Sequence, residues 1–364
     1  MKIAVISLGR RGAGGPISLE LACHLQSHAE VLAVISSYAE DLARWHASSI
    51  PLVETPTYRN LPQAVLSWIM QSRLRSLAGQ IREQAPDVLL FPIFHSWSPF
   101  IQSRLPEIPA VVVVHDPQPH PGDLEWLLEN RSIRQAQRCI LFSASLKPYL
   151  IQRGIPPEKI DIIPLGPLTH SSGESPRSES GKQSPVILFF GRITRYKGLE
   201  VLLQAYRELY TSHPARLVIA GEGDLKPYAQ LLADLPQIEI ANRWIPDEEV
   251  GDFFNRASIV VLPYTSATQS GVLATAASYG RAVVATRTGG IPEQVQDGIS
   301  GLLVAPDSSD PLREALARLL DDPGLAARLG AELQRQYQSS YSWERSAELA
   351  YAACQKAIQS RQHG

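Results

Sequence analysis

Short apolar runs alternate with longer amphipathic stretches along almost the whole chain, and the alternation occurs in two separate series. The first series of apolar runs, rich in Val, Ile and Leu, lies at residues 2–8, 31–35, 88–94, 110–115, 139–142 and 160–165. The second lies at residues 186–190, 216–220, 238–241, 259–263, 282–285 and 301–304. Continuous apolar runs of this length are typical of parallel strands buried on both faces, with helices between them. The pattern predicts α/β architecture with two doubly wound parallel sheets.

A polar segment separates the two series. Residues 171–182 are mostly Ser, Gly and charged residues, which cannot form a hydrophobic core. We therefore predict an N-terminal domain over residues 1–168, a linker over 169–184 and a C-terminal domain over 185–341, followed by a last helical segment over 342–364. A total of 364 residues is enough for two cores.

Composition excludes several classes of protein. A net charge of −2 gives no reason to expect a nucleic-acid partner. Cys23, Cys139 and Cys354 are far apart, so neither a disulfide framework nor a zinc site is predicted. No apolar run reaches about 18 residues, so no membrane-spanning helix is expected. Residues 1–8 are better interpreted as a buried strand than as a signal peptide, because Gly and Arg residues follow at once. We expect a cytoplasmic protein.

Two cations follow the first strand of the second series. Arg192 and Lys197 lie between the strand predicted at 186–190 and the helix predicted at 199–210. Ligands of open α/β sheets bind at the carboxyl ends of strands. There a guanidinium can clamp phosphate oxygens, an ammonium adds charge, and a helix start adds unpaired N–H groups. The alternative is two solvated cations in a loop. We predict a diphosphate site with Arg192 and Lys197 as the residues that stabilise its charge.

The segment from Phe189 to Gly198 resembles the Gly-Arg…Lys-Gly motif of the GT-B glycosyltransferases of family 4, the large retaining group. The resemblance continues in order through residues 220–223, 260–264, 289–293 and 297–304. It implies two Rossmann-like domains that face a central cleft, the first binding the acceptor and the second the donor. It also implies that the helix over 342–364 packs back on the N-terminal domain, because Ser342-Trp343-Glu344 looks like the start of the family's last helix.

The same resemblance implies the chemistry. The expected activity is that of a hexosyltransferase, which moves a sugar from a nucleotide diphosphate donor to a hydroxyl group with retention at the anomeric carbon. The acceptor would be a glycan, a lipid-linked glycan or a small molecule, as in polysaccharide or glycoconjugate biosynthesis. No metal ion and no other cofactor is expected.

Residues of the N-terminal half match family positions near the donor. Gly14 and Gly15 resemble a glycine loop that approaches the donor phosphates; a turn that is merely flexible is the alternative, and a dinucleotide fingerprint fails on its spacing. His115 resembles a histidine near the donor sugar, and its alternative is a structural histidine at a strand end. Asp116 and His120 are weaker candidates.

The donor loop departs from the family pattern. Many members carry two glutamates eight residues apart, but this chain has no acidic residue from Thr265 to Arg287. Ser270, Gly271 and Val272 still open a predicted helix, whose N–H groups can meet phosphate or sugar. Thr275 stands near the position of the ribose glutamate and offers one hydroxyl. The absent glutamates support a second hypothesis, a catalytically inactive nucleotide-sugar-binding homologue or partner subunit.

Three further features keep two interpretations each. Arg243 or Trp244 could stack on the nucleobase, or Trp244 could be ordinary interdomain packing. Glu222 could contact the donor or cap the helix predicted from Leu225. The basic, amphipathic segment 68–82 could make a peripheral contact with the inner face of a membrane that carries a lipid-linked acceptor, or it could be a solvated helix.

Overall fold

The computed structural model describes residues 1–12, 14–58, 71–115, 125–168 and 184–362. Within it the chain divides into two compact units, one formed by Met1–Gly166 with Ser342–Gly364 and the other by Pro167–Tyr341. Nearly all of the predicted linker, together with Asp116, His120 and part of segment 68–82, lies outside the described residues.

A seven-stranded parallel sheet forms the centre of the first unit, in the order β3-β2-β1-β4-β5-β6-β7. Its strands are β1 (Lys2–Ser7), β2 (Glu30–Ser36), β3 (Leu52–Thr55), β4 (Val88–Phe91), β5 (Ala110–Val114), β6 (Arg138–Leu141) and β7 (Ile160–Ile162). The described helices are α1 (Gly14–Leu25), α2 (Leu42–Ala47), α3 (Gln71–Glu83), α4 (Ser98–Arg104), α5 (Glu125–Gln135), α6 (Lys147–Gln152) and, from the chain end, α14 (Trp343–Gln362).

Helix α14 packs on the first unit, mainly against α1 and β6. Alanines recur along its buried face at positions 347, 350, 353 and 357, and such small side chains allow close approach. Two polar contacts fix its register, a hydrogen bond of 2.7 Å from Ser346 Oγ to Pro164 O and an ion pair of 2.8 Å between Lys356 and Asp161.

A six-stranded parallel sheet forms the centre of the second unit, in the order β10-β9-β8-β11-β12-β13. Its strands are β8 (Val186–Phe190), β9 (Arg216–Ala220), β10 (Ile238–Ala241), β11 (Ile259–Leu262), β12 (Ala282–Thr286) and β13 (Leu302–Val304). Its described helices are α7 (Leu199–Leu209), α8 (Ala229–Leu232), α9 (Asp247–Arg256), α10 (Gly271–Ser278), α11 (Ile291–Gln294), α12 (Ser309–Asp321) and α13 (Pro323–Ser340).

Both sheets reverse their strand order beside their first strand. The reversal lies between β1 and β4 in the first sheet and between β8 and β11 in the second. Ligands of doubly wound sheets bind at such a switch point, at the carboxyl ends of the two strands. The loops that follow these four strands are therefore the place to look for a site.

The predicted doubly wound α/β class is confirmed, with local differences. Several strands end earlier than predicted because proline cannot donate to the strand ladder: β4 stops before Pro92 and β11 before Pro263. Strand β3 and helices α2, α4 and α11 were not predicted, since they are short and, in β3, mostly half-buried. The helix predicted over 225–235 is confirmed only in part, since a 3₁₀ turn and the four-residue α8 occupy residues 226–232 of that span.

Candidate functional site

The loop after β8 carries the two predicted cations and is tightly held. Residues Arg195–Lys197 form a 3₁₀ turn that ends at Gly198, which begins α7 with a φ of +70°. A Cβ atom at Gly198 would lie 1.8 Å from the carbonyl oxygen of Pro263. Glycine is thus required here on two grounds, the positive φ and the close approach. This contact seats the β8 loop directly against the loop after β11.

Backbone hydrogen bonds join the neighbouring strand-exit loops of the second sheet. Ile193 N–H donates to Glu222 O at 2.9 Å, and Thr265 N–H donates to Tyr196 O at 2.8 Å. Gly223 N–H donates to the side chain of Asn242 at 3.0 Å. The loops after β8, β9, β10 and β11 are therefore linked into one rim at the carboxyl edge of the sheet.

Arg192 and Lys197 stand on this rim, and no acidic residue in the described ranges pairs with either of them. Arg192 is exposed, and Lys197 is half-buried, with its ammonium 3.8 Å from the ring centroid of Tyr264. Within the described part of the chain, neither forms an ion pair or a side-chain hydrogen bond. Other arginines of the same unit are paired with carboxylates: Arg243 with Glu249, Arg256 with Glu239, and Arg287 with Asp297. The charge of the two rim cations is thus available to an anion.

Helix α10 begins where the loop after β11 ends. Ser270 is its N-cap, and its hydroxyl accepts a hydrogen bond from Leu273 N–H at 3.4 Å. The backbone N–H of Ser270 donates to Gln294 Oε1 at 3.3 Å, which corrects the expectation that this group could meet a ligand. Among the residues that the structure describes, the N–H groups of Gly271 and Val272 have no acceptor. These two remain candidates for phosphate binding.

Thr275 is turned into the protein. Its side chain is 3% exposed, and its hydroxyl donates to Gly271 O at 3.0 Å. It therefore offers no unused donor to a ribose, contrary to the sequence-based expectation.

The side chain of Val272 lies beside Gly191. A Cβ atom at Gly191 would be 3.5 Å from a methyl group of Val272. Helix α10 thus begins next to the end of β8.

The predicted nucleobase contacts have other uses within the protein. The guanidinium of Arg243 pairs with Glu249 and also donates to Trp244 O at 3.2 Å. The indole N–H of Trp244 is buried, with no acceptor in the described ranges. Glu222 is exposed and does not cap the following turn; Asp224 does so, by accepting from Lys226 N–H at 2.9 Å. The capping interpretation of Glu222 is wrong.

In the first unit, Gly14 and Gly15 begin α1, and both have a packing reason to be glycine. A Cβ atom at Gly14 would lie 2.8 Å from Ile93, and one at Gly15 would lie 2.5 Å from the Asp41 carboxylate. These contacts join the β1 loop to the loops after β4 and β2. A side chain at either position would have to displace the neighbouring side chain, and the predicted contact of the two glycines with donor phosphates stays a prediction.

Two histidines lie near the switch point of the first sheet. His115 follows β5, and its Nε2–H donates to Pro92 O at 2.7 Å, which ties it to the β4 loop. His95 lies in that loop, 9% exposed, with its ring stacked on Tyr58, and its Nδ1 accepts from Trp97 N–H at 3.2 Å. Burial, with a smaller contribution from the charge of Arg10, lowers the pKa of His95 to about 3. His95 is therefore neutral near pH 7, with its proton on Nε2.

The described residues contain neither a cluster of metal ligands nor a helix that could span a membrane. No three His, Cys, Asp or Glu side chains gather there in a way that could hold a metal ion. No helix in the same ranges is long and apolar enough to cross a membrane.

The class of protein follows from the similarity of the chain to known proteins. Residues 184–322 match the family described as glycosyl transferases group 1, and residues 12–166 match the glycosyl transferase 4-like domain. Among solved structures, the crystal structure of Anabaena Alr3699/HepE in complex with UDP aligns with a TM-score of 0.72 at 17% identity and covers 100% of both chains. A likeness at this identity speaks for the fold alone. The chain belongs to the family 4 glycosyltransferases and has the GT-B fold.

Curated relatives include D-inositol 3-phosphate glycosyltransferases. That of Corynebacterium jeikeium is 36% identical over 214 residues, which are 55% of this chain and 50% of that protein. That of Pseudarthrobacter chlorophenolicus is 27% identical over 98% of this chain and 96% of that protein. The chain thus spans about half the length of several curated relatives that it matches, such as the first of these two.

Proposed function

We propose that this chain is a retaining glycosyltransferase that moves a hexosyl group from a nucleotide diphosphate sugar to a hydroxyl acceptor. Its second unit would bind the donor, with the diphosphate on the rim between β8 and β11. The observation that carries the proposal is the pair Arg192 and Lys197, which stand at a switch point with no carboxylate partner among the described residues.

The chemistry follows from where charge develops. When the bond between the anomeric carbon and the diphosphate breaks, negative charge grows on the leaving phosphate oxygens. Cations and N–H groups that are already in place stabilise that charge most in the transition state. Arg192 can clamp two oxygens, Lys197 adds a point charge, and the N–H groups of Gly271 and Val272 lie at the start of the neighbouring helix. We propose that these groups take the place of a metal ion in stabilising the leaving group.

The nature of the donor is supported by fold neighbours. Anabaena Alr3699/HepE has been solved with UDP, with UDP and glucose, and with UDP-glucose. UDP-sugars are therefore the first donors to test. The names of the curated relatives make a phosphorylated inositol the first acceptor to test.

A second candidate function is nucleotide-sugar binding without catalysis. It is favoured by the absence of any acidic residue from Thr265 to Arg287 and by the engaged hydroxyl of Thr275. Without a carboxylate there, contacts to the sugar and ribose must come from weaker, neutral groups.

One experiment separates the two. The protein is first screened by thermal shift against UDP-, GDP- and ADP-sugars, because a bound donor stabilises the folded state by mass action. The donors that bind are then incubated with and without inositol phosphate, and free nucleotide diphosphate is measured. Release of nucleotide diphosphate with transfer or hydrolysis of the sugar supports the enzyme. Binding without release for every donor supports the non-catalytic homologue, and absence of binding contradicts both.

A further inference from the structure

Tyr264 occupies a central place on the rim of the second sheet. It follows β11 by two residues and is 1% exposed. The face of its ring carries the Lys197 ammonium at 3.8 Å from the ring centroid. A distance this short, at a half-buried position, is well within the range in which a cation and an aromatic face attract each other.

The kind of partner matters for the charge of Lys197. A carboxylate at this position would neutralise the ammonium and compete with a diphosphate for it. An aromatic face attracts the ammonium through its quadrupole and leaves the net charge unchanged. The chain has no acidic residue from Thr265 to Arg287, so the donor loop supplies no carboxylate that could take over the ammonium.

Hydrogen bonds hold both the side chain and the backbone of Tyr264. Its hydroxyl lies 3.3 Å from the hydroxyl of Ser270, the N-cap of α10. Its backbone carbonyl accepts from Thr286 Oγ1 at 2.5 Å. The ring therefore connects Lys197, on the β8 loop, with the start of α10, on the β11 loop.

The start of α10 is also held by residues of two other helices, α11 and α13. Ser270 N–H is held by Gln294, whose Nε2 donates to the buried Tyr337 hydroxyl at 3.1 Å. The cap of α10 is thus held by Gln294 as well as by its contact with Tyr264. A phosphate that meets Lys197 and the N–H groups of Gly271 and Val272 would meet groups whose mutual geometry is already set.

We propose that Tyr264 is the positioning residue of the diphosphate site, and that its ring face holds the Lys197 ammonium in place without neutralising it and couples it to the capped start of α10. This inference rests on the proposed donor site. It assigns Tyr264 no direct contact with the donor; its effect passes through Lys197.

The test compares nucleotide with nucleoside. The probe is whichever of UDP, GDP and ADP binds the wild-type chain most tightly, together with its nucleoside, and the readout is the ratio of their affinities by calorimetry. Tyr264→Leu is expected to lower this ratio by about 2- to 10-fold, because the Lys197 side chain, no longer held by the ring, must then be ordered when the diphosphate binds. Tyr264→Phe, which keeps the ring face, should stay much closer to the wild type. The matched control is Tyr210→Leu, which replaces a half-buried tyrosine at the C-terminal end of α7. This variant should leave the ratio unchanged.

A double-mutant cycle removes the ambiguity of a general structural effect. In the Lys197→Met background, Tyr264→Leu should cause little further loss of the ratio, because the contact is already absent. An equal loss in both backgrounds would overturn the inference. If Tyr264→Leu fails to fold, Phe and its fluorinated analogues at position 264 keep the shape while weakening the ring face. A stepwise fall of the ratio with fluorination supports the inference, and a constant ratio overturns it.

The same measurements tell the two proposals apart. If Lys197→Met leaves the ratio at its wild-type value, the proposed diphosphate site itself is wrong. If Lys197→Met lowers the ratio but the Tyr264 variants do not, the donor site stands and only the role of Tyr264 falls.

Discussion

The two switch points of this molecule share a topology but differ in electrostatics. At the second sheet, the loop after β8 presents Arg192 and Lys197 with their charges unpaired among the described residues. At the first sheet, the loop after β4 presents His95, which is buried and neutral, and the β1 loop presents glycines packed against Ile93 and Asp41. A doubly wound sheet therefore fixes where a site can lie, whereas the side chains of the exit loops decide whether that site suits an anion or neutral hydroxyl groups.

The largest expected effect comes from removing the cations at the switch point of the second sheet. Lys197→Ala and Arg192→Ala should each lower the rate of sugar release about 10²- to 10³-fold, as the loss of a group that stabilises transition-state charge does. The measurement is the initial rate of nucleotide diphosphate release at saturating donor. Arg195→Ala removes an exposed cation from the same 3₁₀ turn and is the matched control, with a much smaller expected effect. Full turnover in both Lys197→Ala and Arg192→Ala would contradict the assignment.

The next effect concerns the neutral histidine at the switch point of the first sheet. His95 has a folded pKa of about 3 against an ordinary value of 6.5. Between these values the unfolded chain binds a proton that the folded chain does not, so the free energy of unfolding should fall as pH is lowered. The expected slope is about 1.4 kcal/mol per pH unit from this residue below pH 6.5, levelling off near pH 3.

This slope is measured by urea unfolding at pH 7, 6, 5 and 4. His95→Asn should lack this part of the pH dependence, although it is less stable at pH 7. His46→Asn changes a half-exposed histidine and serves as the control. An unchanged slope in His95→Asn would show that His95 is not held neutral.

A smaller effect concerns the rim beyond the cations. Because Arg243 is held by Glu249 and Trp244, Arg243→Ala should weaken nucleotide binding less than either rim-cation variant. Calorimetry with the nucleotide and its nucleoside is the measurement. A loss as large as that of Lys197→Ala, equal for nucleotide and nucleoside, would instead assign Arg243 to the base.

The smallest expected effect is none. Addition of a chelator should leave the rate of sugar release unchanged, since the proposed charge stabilisation comes from side chains and N–H groups. A large loss that magnesium restores would show that a metal ion acts in the reaction.

The sequence predicted the class of fold and pointed to the region of the candidate site because both inferences depend on short-range patterns. Continuous apolar runs marked the central strands, and the positions of Arg192 and Lys197 after a strand indicated the rim. The edge strand β3 was not predicted because its side chains are mostly half-buried or exposed and only two of its residues are apolar. What could not be predicted depends on contacts between distant loops. The sequence gives no sign that Gln294 takes the Ser270 N–H, that Thr275 turns inward, or that Tyr264 lies under Lys197.

The most direct test of the account is a structure of the chain with a bound nucleoside diphosphate. The account predicts that the terminal phosphate lies within hydrogen-bond distance of Arg192 and Lys197, at the carboxyl edge of the second sheet, with the Lys197 ammonium still over the Tyr264 ring. A nucleotide bound at another place, or a diphosphate at the rim that contacts neither cation, would contradict it.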